Sequence, residues 1–148
     1  MNPDGPPNVR IHPSRIAGWI DGLKERIAAA RENARIRADL EHELACLDRA
    51  GELDGVLDSL GLGRGAVDFL LENYPGSARR FNAMTERLGV ADKAPPAAAI
   101  DALAGPRRRC LFCEEVHQCE DWLKDGKTEG YREFCPNADT FDALRRKG

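Results

Sequence analysis

Cys110, Cys113, Cys119 and Cys135 stand in the order C-x2-C-x5-C-x15-C, and Pro136 follows the last of them. Thiolates bind soft or borderline metals, and a C-x2-C turn aims two sulfurs at one point. The chemistry open to such a set is ligation of one metal centre. Structural zinc sites made of four cysteines usually face two short C-x2–4-C knuckles across the ion, and only one such pair occurs here. Cubane iron–sulfur clusters often take three cysteines from one compact segment and a remote fourth, commonly followed by proline. The spacing therefore favours a [4Fe–4S] cluster held by Cys110, Cys113, Cys119 and Cys135, with Zn2+ as the alternative.

The elements around these cysteines can be read from helical phase. Glu114 to Lys124 has the pattern of a helix, which at about 100° per residue sets Val116, Cys119, Trp122 and Leu123 on one face. Cys119 is thus expected to point inward. His117 falls about 200° round from Cys119, beside Glu114, Asp121 and Lys124, on the face expected to be wet. The alternative pairs His117 with Cys113 at i and i+4, and it leaves Cys119 without a role. Gly126 and Gly130 supply the turns that return Cys135 to the site. Leu111, Phe112, Trp122, Tyr131 and Phe134 are expected either to keep water from the metal or simply to form the small core that any metal module needs.

Asn137 is a candidate cap for a final helix, Ala138 to Arg146, whose Phe141 and Leu144 pack back onto the module. The amides of that helix N-terminus are expected near the Cys135 sulfur. Arg107-Arg108-Arg109 abuts Cys110. It can dock an acidic redox partner, touch phosphate or offset cluster charge, but such runs are usually solvated and nothing more.

Upstream, Ile16, Ile20, Leu23, Ile27, Ala30 and Ala34 recur at steps of four and three after a candidate cap, Ser14. That pattern predicts an amphipathic helix. A second register, Ile36, Leu40, Leu44 and Leu47, extends it to about Asp48, with the apolar stripe shifting near Arg35. Helices are also predicted over Leu53–Leu60, over Ala66–Tyr74, ended by Pro75-Gly76, and from Ser77 through Leu88 to Gly89. Residues 90–98 read as a linker or helix entry, and Ala97–Leu103 as a brief helical segment. No segment alternates with period two, so the expected fold is all-α: a small helical bundle with a long N-terminal helix and a C-terminal four-cysteine module. Its divisions are a disordered tail at 1–14, a helical domain at 15–95 and the metal module at 96–148. No internal repeat, P-loop or dinucleotide-binding loop occurs.

A formal net charge of −3 and a pI near 5.7 give no general reason for nucleic-acid affinity, which rests on basic surface. Leu57–Tyr74 has a helix-turn-helix outline, but Asp68 and Glu72 on its second helix disfavour phosphate contact. No run approaches the roughly 20 apolar residues of a membrane span, and the proline-rich start is not a signal peptide. The expected location is cytoplasmic, where reducing conditions favour metal binding over two disulfides. Cys46, beside Leu44 and Leu47, is expected to be a small, partly buried hydrophobe. No acid, base or nucleophile constellation can be assembled, so no enzymatic activity is expected.

Three resemblances follow from these residues. Cys110-x2-Cys113-x5-Cys119 resembles part of the cluster loop of endonuclease-type DNA glycosylases, which implies a [4Fe–4S] cofactor and says nothing about glycosylase activity. The stretch with Cys110, Cys113, Cys119, Trp122-Leu123 and Tyr131-Arg132-Glu133-Phe134-Cys135-Pro136-Asn137-Ala138 resembles an uncharacterised family of small bacterial proteins, domain of unknown function 6455. Glu41 to Val67, including His42-Glu43-Leu44, Leu47-Asp48-Arg49 and Leu60-Gly61-Leu62-Gly63-Arg64, is similar to a second family of short, arginine-rich bacterial proteins. The expected function is that of a small iron–sulfur protein in electron transfer or in redox or iron sensing. Its expected partner is a redox or regulatory protein, or a second copy bound through the long N-terminal helix. The alternative is a non-catalytic interaction module with structural zinc.

Overall fold

The apolar periodicity of residues 15–48 becomes one continuous helix, α1 (Pro13–Ala50), in a computed structural model that describes residues 13–94 and 100–148. Pro13 opens it in place of Arg15, as suits a residue whose missing N–H would be unpaired in the first turn anyway. The expected tail at residues 1–12 and the linker residues 95–99 lie outside the described residues. After α1 come α2 (Leu53–Ser59) and α3 (Ala66–Arg87). Three short helices complete the chain: α4 (Pro106–Leu111), α5 (Val116–Asp125) and α6 (Ala138–Arg146). Single 3-10 turns lie at Asp101–Ala104 and Tyr131–Glu133. No strand occurs among the described residues, and the fold is all-helical. The chain divides inside α1: Glu32–Gly148 is one compact unit, and the helical residues up to Arg31 form another.

Within Glu32–Gly148 the apolar side chains gather into two clusters. The first joins Leu40 and Leu44 of α1, Leu53 and Leu57 of α2, and Leu70, Tyr74 and Ala78 of α3, with Ile100, Leu103 and Leu111. The second joins Phe81, Met84, Leu88 and Val90 to Trp122, Tyr131, Ala138 and Phe141. Helix α3 is the wall common to both, because its buried positions run on at steps of three and four from Leu70 to Met84.

That continuity corrects the expected break at Pro75-Gly76. Proline in a helix interior removes one hydrogen bond and crowds the carbonyl four residues back, at a cost of about 3 kcal/mol. On either side of it, Leu70, Tyr74, Phe81 and Met84 are each no more than 3% exposed. Burying such a side chain contributes about 1.5–3 kcal/mol. A break at Pro75 would take one pair or the other out of register, so tertiary burial outweighs the local preference. Ser77 does not cap a new helix; it is buried, and its hydroxyl donates to the Tyr74 carbonyl at 2.9 Å within the same helix.

The turn between α2 and α3 is fastened by Arg64, which donates to Asp48 at 2.7 Å and to Asp54 at 2.6 Å. The basic residue of the helix-turn-helix outline is therefore already committed to carboxylates. Cys46 is exposed, contrary to expectation, with its sulfur 3.3 Å from Arg49 Nη2 and 3.7 Å from His42 Nε2. The reason is phase: Cys46 lies about 200° round from Leu44, which faces the core.

Candidate metal centre

Four short elements deliver the cysteines. Cys110 comes from the last turn of α4 and Cys113 from the turn after it, whose amide donates to the Cys110 carbonyl at 3.3 Å. Cys119 sits in the first half of α5. Cys135 follows the 3-10 turn at Tyr131–Glu133 and is held by donating its own amide to the Tyr131 carbonyl at 2.8 Å. The return from α5 needs left-handed backbone at Gly126 (φ 71°) and Gly130 (φ 88°), which glycine adopts without strain.

All four cysteines line one cavity of about 20 Å³, closed by Arg80, Met84, Val116, Phe134 and Pro136. That is room for roughly one water-sized sphere. Negative charge on the neighbouring cysteines acts to raise the pKa of Cys110, Cys119 and Cys135. All are free thiols. As placed, no three His, Cys, Asp or Glu side chains among the described residues converge closely enough to hold one metal ion.

Each sulfur has its own electropositive neighbour. Asn137 Nδ2 donates to Cys110 Sγ at 3.2 Å, and the Glu115 amide donates to Cys113 Sγ at 3.4 Å. The Asn137 backbone amide donates to Cys135, and the Arg80 guanidinium lowers the pKa of Cys119. Burial works the other way and is the largest influence. It pushes the Cys110 thiol up to about 12 and the Cys119 thiol up to about 11, with neighbouring cysteine charges adding to both, and it raises Cys135 as well. Four thiolates cannot share this space without a cation among them. The donor set thus fits a thiolate-bound metal group: soft ligands, N–H donors to sulfur and an apolar wall.

The side-chain roles of two of these neighbours differ from what the residue order suggests or go unmarked by it. Asn137 is completely buried and makes no side-chain cap to α6; its amide turns inward to the Pro106 carbonyl at 2.8 Å and to Cys110. Its Oδ1 is the one buried side-chain oxygen or nitrogen left without a partner among the described residues. Arg80, 14% exposed, stands between the cavity and Glu120, 3.9 Å away. Neither side-chain role shows in the residue order, because Asn137 reaches Cys110 and Arg80 reaches Cys119 across long stretches of chain.

His117 is exposed and does not line the cavity, so the Cys113–His117 alternative is not assembled. Among the aromatics, Trp122 and Tyr131 are buried edge to face at 5.9 Å, and Phe134 lines the cavity. Phe112 departs from expectation: it is 48% exposed and stacks on Phe69 at 5.5 Å, away from the cysteines. The three arginines are not a free basic run either. Arg107 lies over the Phe81 ring at 4.4 Å and donates to Asn82 at 3.0 Å, Arg108 donates to the Leu60 carbonyl, and Arg109 to Thr140 at 3.3 Å. They fasten α4 to α3, to the end of α2 and to α6.

No helix among the described residues is long and apolar enough to cross a membrane. No curated protein and no solved structure matches the chain. A family model does match residues 70–147, just over half of the length and all of the cysteine cavity. The chain belongs to that family, described as a family of unknown function (DUF6455).

Proposed function

We propose that Cys110, Cys113, Cys119 and Cys135 bind one [4Fe–4S] cluster and that the protein works in electron transfer or in redox or iron sensing. The observation that carries this reading is that four cysteines from separate short elements line one small cavity with a largely apolar wall; their order, three near and one remote before Pro136, is what favours a cluster over zinc. A tetrahedral zinc site brings every sulfur to about 2.3 Å of one atom. A cubane gives each thiolate its own iron and so spreads the sulfurs. The cluster would supply one-electron chemistry at a potential set by charge and hydrogen bonding.

The protein's own part is to hold the thiolates, donate N–H groups to them from Asn137 and Glu115, place Arg80 against their charge, and exclude water with Met84, Val116 and Phe134. Anaerobic purification is expected to yield a brown protein containing iron and acid-labile sulfide in equal amounts. A colourless protein with one zinc per chain would overturn the reading.

One observation favours that second outcome. The cavity, at about 20 Å³, is nearer the size of a single ion than of a cubane, which requires its walls to part. In that reading the metal is structural and the protein is a non-catalytic interaction module.

A further inference from the structure

The first half of α1 carries a surface that the cysteine site does not explain. Ile16, Trp19, Ile20, Leu23 and Ile27 are 44%, 69%, 39%, 42% and 44% exposed. On a helix they fall within about 100° of arc, one continuous apolar stripe. Arg15 and Arg26 border it on one side, Lys24 and Arg31 on the other. The acids of the same stretch, Asp21 and Glu25, lie more than about 140° from the centre of the stripe.

This sorting of charge decides what the stripe fits. In a paired helix the margins of the apolar seam meet the margins of the partner. A second copy would bring Lys24, Arg26 and Arg31 against one another in either orientation, because neither margin carries a carboxylate. A bilayer with anionic headgroups meets every feature at once. The aliphatic side chains enter the acyl boundary, and the exposed indole of Trp19 sits at headgroup depth. The basic side chains lay their stems along the apolar edge and reach the phosphates, while Asp21 and Glu25 face water.

We infer that Arg15–Arg31 of α1 is an interfacial helix that rests on anionic phospholipid surfaces, with its apolar stripe inserted and its basic margins on the headgroups. With only five large apolar side chains, attachment is reversible and needs both the stripe and the charges.

Flotation of the full-length protein with vesicles tests this. The protein is expected to float with vesicles of phosphatidylcholine and phosphatidylglycerol, to stay down with phosphatidylcholine alone, and to be released by high salt. Leu23→Glu is expected to abolish flotation, and the triple variant Lys24→Glu, Arg26→Glu, Arg31→Glu to lower affinity by at least about a hundredfold. Unchanged far-UV helix content shows that each variant is folded. The inference is overturned if the wild type ignores anionic vesicles, if it floats equally with both lipids, or if the variants float like the wild type. A dimer abolished by Leu23→Glu, with no vesicle binding, assigns the stripe to a second copy instead.

Discussion

The two clusters that share α3 are made of different materials. The first is almost wholly aliphatic: Leu40, Leu44, Leu53, Leu57 and Leu70 meet from three helices, with Tyr74 as its one buried aromatic. The second is aromatic and sulfur-bearing, with Phe81, Trp122, Tyr131 and Phe141 interlocked at centroid distances of 5.6–6.5 Å and Cys110, Cys119 and Cys135 at its edge. Long helices can build a core from leucine periodicity alone. Helices α4, α5 and α6, of 6, 10 and 9 residues, are too short to stand by themselves. They rely on large rings and on arginines that reach across to α3, to the end of α2 and to α6; a metal on the cysteines, as proposed, would cross-link them further. The lesson is that one half of the unit is specified by pattern and the other by particular side chains.

Removing that proposed cross-link is the strongest way to break this comparison. Stripping the proposed metal, or the double variant Cys110→Ser and Cys135→Ser, is expected to open residues 107–148 to amide exchange while α2 and the second half of α1 stay protected, since the binding energy of a metal held there would be folding energy. Equal loss of protection in both regions would show that the clusters stand or fall together. Next in size, Phe141→Ala, at a site with no solvent exposure, is expected to cost about 3–5 kcal/mol in denaturant unfolding. Leu57→Met, in the aliphatic cluster, should cost less than about 1.5 kcal/mol because volume is conserved. If the two proved similar, the contrast between specified and patterned packing would fail.

Gly130→Ala is expected to cost about 1–2 kcal/mol through left-handed backbone strain alone, with nothing nearby for the new methyl to strike. The smallest effect lies at Asp142. Its carboxylate accepts hydrogen bonds from Tyr131 and Arg132, which hold its pKa below the usual range. A depressed carboxylate adds stability above the ordinary range and loses it as pH falls through the lowered value. Melting temperature should therefore fall less steeply on acidification in Asp142→Asn than in the wild type.

What could be read from the sequence follows the same divide. The spans of α1, α2 and α6 were legible within two residues, because periodicity and breakers act locally. Pro75 misled because a local rule competes there with burial on both sides. The arginines at 107–109 looked solvated because their partners lie 25 to 48 residues away. Asn137 announced a cap and instead turned to sulfur. The cysteines were conspicuous by spacing, and the amide beside Cys135 followed from the start of α6; the Asn137 and Arg80 side chains set against Cys110 and Cys119 were not, since such long-range contacts leave no signature in residue order.

The chain has two tryptophans, and they lie in unlike settings. Trp19 is 69% exposed, whereas Trp122 is 6% exposed, with its ring 6.4 Å from Phe134, which itself lines the cysteine cavity. The two indoles are therefore expected to emit at different wavelengths, the buried one to the blue of the exposed one. A light-absorbing iron–sulfur group would quench the blue, buried emitter, while colourless zinc would leave it bright. A blue shift of the red, exposed emitter would report the arrival of lipid, with no label added.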